Sequence, residues 1–291
     1  MQTPAQTNLS SIYYWDNYQF VLRYIKKHYK DLLNPAEIDF FDQFDLLSKP
    51  AQCLYLRFCS RTTSWFQVDK IAYTEIESIP DAIQELLAAH FLQFYESDVL
   101  LPDLLHVLPK ETCLRLARQL VTDQKITTSL SKADLVDLLG HQSHGDLTLL
   151  KGFIRPHNKD FYSLSTFLFF GSRHRDLTEF VVRDLGHRQF VDVSEDELLP
   201  YFTSRKEIDQ KWAISLWREW FWEKKDQPEL TEKIVESFEA NMLPLIDELT
   251  ELAIPTFEKM IFQVGRYLER QSQLEAALRI YELAGSVNAL E

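Results

Sequence analysis

Hydrophobic residues in the first part of the chain recur at the spacing of amphipathic helices. A first helix is expected over about residues 12–29. A second helix begins at Asn34-Pro35, because asparagine is a good N-cap and proline is favoured at the first helical position. A third helix begins near Ser48 or Pro50. The buried face of the first helix is predicted to consist of Trp15, Tyr18, Leu22, Ile25 and Tyr29.

An aromatic stretch after these helices predicts extended structure. Residues 65–68 (W-F-Q-V) are expected to be extended, and the segment 70–73 follows them in a hairpin-like arrangement. Ser78 with Asp81 predicts the start of another helix, and residues 91–95 are strand-like. Three helices followed by a β-hairpin is the order typical of a small winged-helix DNA-binding module.

The remainder of the chain predicts further helices. Ser131 opens a short helix with a capping-box pattern, and Ser204 opens a longer one. Residues 161–170 are apolar on nearly all sides, which indicates a buried helix. Residues 230–252 are expected to form one helix bent at Pro244, and Pro255 begins the next.

The end of the chain carries a tetratricopeptide-like (TPR-like) pattern, in which Ala276 and Ala277 pack against Tyr281. The predicted fold is therefore mainly α: a winged-helix and SAP-like module followed by α-helical TPR-like repeats. We expect a winged-helix-like domain over 10–98, a SAP-like helical module over 99–145 and a TPR-like domain over 153–291.

Composition narrows the class of protein. The chain has 291 residues, of which 45% are hydrophobic, so a packed globular protein is expected rather than disorder. The seven glycines are few for a fold that binds nucleotides through glycine-rich loops. The three cysteines lack metal-ligand spacing and predict reduced, mostly buried thiols. Without a signal sequence or a long apolar run, an intracellular protein without membrane contact is expected.

Charge is distributed unevenly along the chain. The formal net charge is −13, which argues against binding nucleic acid over the whole surface. Residues 1–80 carry eight Lys or Arg against nine Asp or Glu, a net −1, whereas the other 211 residues carry 23 against 35, a net −12. A nearly neutral module attached to an acidic body can still bind DNA through one face. The alternative is that the acidity only maintains solubility.

Several short sequences in the first 95 residues occur together in a characteristic order. They are Y-Y at 13–14, D-L-L-N-P-A-E at 31–37, L-Y-L-R-F at 54–58, S-W-F at 64–66 and D-K-I-A-Y-T-E-I at 69–76. In this order and spacing the chain resembles the N-terminal region of the Fanconi-associated nucleases, structure-specific DNA repair nucleases with a VRR-NUC catalytic domain. The short helices on either side of 122–129 are similar to their SAP module, and D-L-G-H-R-Q-F-V at 184–191 is similar to their helical-repeat region.

The resemblance implies a set of phosphate contacts on duplex DNA. Arg57 and Arg61, four residues apart, are expected to share one face of the third helix. The family often has a further cation after the position of Arg61, where this chain has Thr62. Core packing is the alternative role for the tyrosines of the set. The implied DNA-binding residues are Tyr13, Tyr14, Arg57, Arg61, Lys70, Tyr73 and Lys132.

The family's catalytic residues have no counterpart in this sequence. The resemblance implies a Glu, a Pro-Asp and a Glu-x-Lys group that hold divalent metal for cleavage. Pro80-Asp81 and Pro102-Asp103 are present, but both lie at predicted helix starts and no Glu-x-Lys follows in a strand-like context. We therefore expect no catalytic or metal-binding residues here and no cofactor. Mg or Mn is expected only with a nuclease domain that this chain lacks, and whether the chain is an enzyme stays open.

Three functions are compatible with these observations. The first is the DNA-binding and scaffold portion of a 5′-flap nuclease of interstrand crosslink repair, with branched or flapped DNA and its own C-terminal nuclease domain as partners. It would act in the cytoplasm or nucleoid of a bacterium, or in the nucleus of a eukaryote. The second is a helical-repeat protein–protein adaptor without DNA binding. The third is a hydrolase that uses His141, His144 and nearby acids, although solvated linker histidines explain those residues more simply.

Overall fold

The fold is given by a computed structural model that describes residues 10–96, 102–122, 125–141, 147–178 and 198–288. Within these ranges the chain is mainly helical with little strand, as predicted. The SAP-like and TPR-like assignments stay predictions. Residues 184–191, which carry part of the family resemblance, lie outside the described ranges.

The described part of the chain contains twelve α-helices and three short β-strands. The helices are α1 (Tyr13–His28), α2 (Pro35–Leu46), α3 (Lys49–Cys59), α4 (Ile79–Ala88), α5 (Pro102–Val107), α6 (Lys110–Leu120), α7 (Lys132–Gly140), α8 (Lys159–Phe170), α9 (Arg205–Lys224), α10 (Thr231–Asn241), α11 (Ile254–Arg270) and α12 (Leu274–Asn288). The strands are β1 (Phe66–Gln67), β2 (Leu92–Phe94) and β3 (Phe153–Pro156), and 3₁₀ turns span Val68–Lys70, Thr148–Leu150, Pro228–Leu230 and Leu243–Glu248.

Serine N-caps start four of the helices where the sequence predicted them. Each serine side chain accepts a hydrogen bond from the backbone N–H three residues later, which satisfies one of the unpaired donors of the first turn. Two of these caps are full capping boxes, closed by Asp134 and Glu207. Local side-chain chemistry therefore fixes these helix starts. The capping residues are Ser48, Ser78, Ser131 and Ser204.

The chain forms two compact units. The first consists of residues up to 19 and of 35–162, and the second of 20–34 and the residues from 163 onward. The predicted domain ranges 10–98, 99–145 and 153–291 do not coincide with these units. They differ because strand β3, which follows the predicted SAP-like module, pairs with strands of the predicted winged-helix domain.

A three-stranded antiparallel sheet closes the first unit, in the order β1–β3–β2. Phe66 lies opposite Ile154 in one pair of strands, and Phe94 lies opposite Ile154 in the other. The predicted local hairpin is therefore wrong. The chain enters a 3₁₀ turn at Val68 directly after β1 and forms no adjacent strand, so β1 pairs with the distant β3 instead.

Aromatic side chains fill the core of the first unit. Phe40, Phe44, Tyr55 and Phe91 form mutual ring contacts with centroids 5.0–6.4 Å apart. Full burial of such a ring stabilises the fold by about 1.5–3 kcal/mol. A second hydrophobic cluster, formed mainly by residues of α5, α6 and α7, includes Trp65. The indole N–H of Trp65 donates a hydrogen bond to Asp103 at 2.9 Å.

The three cysteines are buried and not disulfide-bonded, as predicted. They are Cys53, Cys59 and Cys113. No helix in the described ranges combines the length and the apolar character needed to cross a membrane.

The second unit packs its later helices around aromatic residues of α9. Trp217 stacks on Phe221 at 5.6 Å and contacts Phe238 of α10 edge-on at 5.3 Å. The predicted single helix over 230–252 is wrong, because α10 ends at Asn241 and a 3₁₀ turn carries Pro244. Proline lacks the N–H of a helix interior and its ring clashes with the preceding turn.

Helices α11 and α12 form a hairpin through a very close contact. Residues 271–273 join them, and the Tyr281 ring lies directly over Gly265. A Cβ atom at position 265 would overlap this ring. Glycine is therefore required here for helix approach, although it lowers helix propensity by about 1 kcal/mol relative to alanine.

We predict that Gly265→Ala destabilises the protein by about 1–2 kcal/mol, because overpacking outweighs the gain in helix propensity. In a Tyr281→Ala background the same substitution is expected to stabilise by up to about 1 kcal/mol. Urea unfolding of the four variants of this double-mutant cycle measures both values. Equal effects of Gly265→Ala in the two backgrounds would contradict the contact.

Candidate nucleic-acid interface

Arg57 on α3 is held by a carboxylate that the sequence interpretation missed. Its Nε donates to Glu75 Oε1 at 2.8 Å, and its Nη2 donates to the same oxygen. The hydroxyl of Tyr14 donates to this oxygen too, at 3.3 Å. The guanidinium carbon lies 4.0 Å from the centroid of the Tyr14 ring and 5.5 Å from that of Tyr73. Arg57 is thus enclosed by one carboxylate and two aromatic rings.

The protonation states of this cluster favour the ion pair. Burial works against ionisation of Glu75, but hydrogen bonds from the backbone and from Arg57 outweigh it and hold the pKa of its carboxyl below the usual value. Burial raises the pKa of the Tyr14 hydroxyl well above its usual range, so this group stays neutral. The side chain of Glu75 is only 9% exposed. The charge of Arg57 is therefore already compensated within the fold.

Arg61 and Lys70 are in a different situation. Helix α3 ends at Cys59, so the prediction that Arg57 and Arg61 share one helix face is wrong. Both Arg61 and Lys70 are exposed. Within the ranges that the structure describes, neither side chain has a carboxylate partner. Their positive charges remain available to an anion.

Arg61, Lys70 and Tyr73 line one common cavity of about 380 Å³. The 3₁₀ turn after β1 carries Lys70, and Tyr73 follows in the irregular segment that leads to α4. Three of the seven sequence-predicted residues thus line this cavity. Since Tyr73 is also near Arg57, the cavity borders the enclosed ion pair. We call the surface formed by Arg61, Lys70 and Tyr73 the cation surface.

The predicted residues Tyr13, Tyr14 and Lys132 are held by packing or by a hydrogen bond within the fold. Tyr14 is buried, with 8% of its surface exposed, and Tyr13 packs edge-on against it with ring centroids 5.8 Å apart. Lys132 is exposed at the start of α7, but its Nζ donates to the backbone carbonyl of His106 at 2.7 Å. This bond joins α7 to α5, so a phosphate at Lys132 would compete with it.

Two further cations near the cation surface were not predicted. Lys159, the first residue of α8, donates to the backbone carbonyl of Arg61 at 2.7 Å. Arg155 of β3 lies over the Trp65 ring, 5.0 Å from its centroid. No local sequence pattern indicates either residue, because both reach this region only through the pairing of β3 with β1.

No group of three or more His, Cys, Asp or Glu side chains suited to a metal ion occurs in the described ranges. His141 is exposed, with 3.9 Å between its Nε2 and Oδ1 of Asp137. His144 lies outside those ranges.

Three short helices followed by a small sheet are the arrangement of a helix-turn-helix-like module, and this module carries exposed cations beside aromatic side chains. Comparison with known proteins identifies this module more narrowly. Residues 12–93 match the family model described as FAN1, HTH domain. The cation surface lies entirely within this match.

Similarity to one family extends along the whole chain. The chain is 25% identical to the Fanconi-associated nuclease 1 homolog of Pseudomonas aeruginosa over 296 aligned residues, covering 96% of this chain and 50% of that protein. It is 35% identical to Fanconi-associated nuclease 1 of Danio rerio over 109 residues, covering 36% of this chain and 11% of that protein. The predicted resemblance to the N-terminal region of the Fanconi-associated nucleases is confirmed.

A solved structure shows the same fold. The crystal structure of paFAN1 bound to 2nt 5′flap DNA with gap superposes with a TM-score of 0.78 at 24% identity, covering 98% of this chain and 50% of that chain. The winged-helix, mainly helical fold class is thereby confirmed. The chain spans about half the length of the P. aeruginosa relative and of this solved structure.

We predict that Arg57→Met destabilises the protein by about 1–3 kcal/mol, because it leaves the mostly buried Glu75 carboxylate without its partner. Urea unfolding at neutral pH measures this loss. Lys233→Met removes an exposed cation elsewhere and serves as the matched control, with an expected change within about 0.5 kcal/mol. Equal stability of Arg57→Met and the control would show that the ion pair does not hold the fold.

The same ion pair predicts a dependence of stability on pH. The folded-state pKa of Glu75 is lowered, so its contribution is present above the unfolded-state pKa and is lost as the pH falls through the folded-state pKa. The difference in unfolding free energy between the wild type and Glu75→Gln is expected to be greatest near neutral pH and to shrink in acid. A difference that grows in acid would contradict the assignment.

Proposed function

We propose that this chain is the DNA-binding and scaffold portion of a structure-specific nuclease that acts on 5′-flapped DNA in interstrand crosslink repair. The observation that carries the proposal is the cation surface, where Arg61 and Lys70 lie exposed without a carboxylate partner in the described ranges and inside the FAN1 HTH match. Two further findings support it: the similarity to Fanconi-associated nucleases, and the fold shared with a protein bound to 5′-flap DNA.

Phosphate binding at this surface follows from its charge. An exposed ammonium or guanidinium that neutralises a phosphate releases condensed counterions from the duplex, which makes association favourable and sensitive to salt. The net charge of −13 repels DNA from most of the molecule. In the proposal DNA binds at the face of Arg61 and Lys70, which have no carboxylate partner in the described ranges, and the acidic remainder of the molecule disfavours other orientations.

Cleavage is assigned to residues outside this chain. Phosphodiester hydrolysis with Mg or Mn requires clustered carboxylates, and no such cluster occurs in the ranges that the structure describes. In the proposal the chain positions flapped DNA for a C-terminal nuclease domain, which would hold the metal. The protein would then act where cellular DNA is, in the bacterial cytoplasm and nucleoid or in the eukaryotic nucleus.

Binding to DNA is tested by fluorescence anisotropy of the chain with a 5′-flap duplex, a plain duplex and a single strand over a salt series. We expect tightest binding to the flap and a linear fall of log affinity with log salt. No binding to any of these DNAs at low salt would overturn the proposal.

Single substitutions test whether the cation surface is the contact. Arg61→Ala and Lys70→Ala are each expected to reduce the salt slope by about 0.9 and to weaken binding about eight-fold near 0.1 M salt, for every DNA sequence alike. Arg279→Ala and Lys233→Ala remove exposed cations of the second unit and are the matched controls. If the controls weaken binding as much as Arg61→Ala and Lys70→Ala do, DNA is bound by overall charge rather than by this surface.

A protein–protein adaptor is the second candidate function. The observation that favours it is the outer side of α12, where Leu274 and Leu278 are 66% and 60% exposed. Helical repeats commonly use such a side to pack against a neighbour. This function predicts retention of a protein partner together with no affinity for DNA at low salt, so the anisotropy experiment separates the two.

A further inference from the structure

The cavity that the cation surface lines also contains apolar side chains, which a phosphate contact does not require. Its volume of about 380 Å³ lies within the range of roughly 300–1,000 Å³ that is common for small-ligand sites. Its lining consists of Arg61, residues 65–67 and 70–73, Val107, Pro109 and Phe153. All of these residues belong to the first unit. A phosphate group of the duplex backbone is bound by cations at a surface and gains nothing from such walls.

The polar and apolar groups of the cavity match the two parts of a nucleotide. Arg61 and Lys70 supply positive charge, and Gln67 supplies an amide that can both donate and accept. Ile71, Val107 and Tyr73 supply carbon and ring surface. Cations that follow the backbone, combined with an aromatic face for the base, are the usual means of binding unpaired nucleic acid.

Of the aromatic residues that line the cavity, Tyr73 is the one that is half-buried and, in the described ranges, has no aromatic ring packed on it. Trp65 is 4% exposed, and its ring is covered by Arg155. Phe66 packs on Phe58 with centroids 4.3 Å apart. Tyr73 is half-buried, and in the described ranges its hydroxyl makes no hydrogen bond.

Arg57 also holds Tyr73 in position. The guanidinium carbon of Arg57 lies 5.5 Å from the centroid of the Tyr73 ring. The ion pair with Glu75 keeps the guanidinium in this position. A ring held in this way loses little conformational freedom when a base stacks on it.

We propose that this cavity binds one unpaired nucleotide of the DNA, with its base stacked on Tyr73 and its phosphate at Arg61 and Lys70. This inference rests on the proposed function and deepens it. It assigns the cavity to the nucleotide where the strand leaves the duplex, and it predicts that the base itself contributes to affinity. Phosphate contacts alone would make affinity independent of the base.

The proposal is tested by the intact chain with two 5′-flap duplexes that differ at one position. One carries a normal base at the first unpaired nucleotide and the other carries an abasic residue there, so both have the same phosphates. Stacking on an aromatic residue corresponds to at least about five-fold in affinity. We expect the abasic flap to bind at least about five-fold more weakly, with the same salt slope.

Tyr73 variants assign the effect to this cavity. Tyr73→Leu is expected to abolish the difference between the two flaps, whereas Tyr73→Phe is expected to preserve it, because stacking requires the ring and not the hydroxyl. Phe262→Leu alters an exposed aromatic residue of the second unit, 47% exposed, and should leave the difference unchanged. Tyr73→Leu that weakens both flaps equally and keeps their difference would overturn the assignment.

A measurement on the wild-type chain gives a result that does not depend on whether the variants fold. With 2-aminopurine at the first unpaired position, binding of the wild-type chain should quench its emission through stacking, whereas 2-aminopurine in the duplex should change little. Salt-sensitive binding with equal affinity for normal and abasic flaps and no quenching would overturn the nucleotide site and leave the proposed function intact. Absence of binding to all DNAs would overturn both.

Discussion

Pairing of β3 with β1 is the constraint on which the rest of the first unit depends. Phe153 and Ile154 lie opposite Gln67 and Phe66, and the N–H of Val68 donates to the carbonyl of Gly152 at 2.9 Å. These bonds satisfy backbone groups that a lone two-residue strand would leave unpaired. They also fix the start of the segment that carries Lys70 and Tyr73. Contacts between residues so far apart in sequence form at a cost in chain entropy. The cation surface therefore depends on folding of the whole first unit.

Arg57 differs from Arg61 and Lys70 in its electrostatic surroundings. Arg57 is enclosed and neutralised by Glu75, whose carboxylate is almost fully buried. Arg61 and Lys70 are exposed and have no carboxylate partner in the described ranges. Removing the first kind of cation leaves an uncompensated buried charge and affects folding. Removing the second kind is expected to lower the affinity for an anion and to leave the fold almost unaltered. Sequence similarity cannot separate these roles, because both kinds of residue occur within one family pattern.

The sequence predicted well what depends on neighbouring residues. The helices that start after Ser48, Ser131 and Ser204 begin as predicted, because a cap is a contact over three residues. Features that depend on distant partners were missed. The segment after Phe66 was expected to form a hairpin, and nothing local indicated that β3 would become its partner. In the same way, helix α3 was expected to extend to Arg61, because no helix-breaking residue follows Cys59. In the structure it ends at Cys59, between Arg57 and Arg61.

The most direct test of this division is a nitrogen-15 NMR spectrum of the arginine side chains, recorded with and without a 5′-flap duplex and assigned by substitution. We predict a protected Arg57 Nε–H signal without DNA, which stays in place when DNA is added, and an Arg61 signal that shifts or gains protection. Movement of the Arg57 signal with no change at Arg61 would contradict this prediction, since Arg57 would then leave Glu75 to contact phosphate.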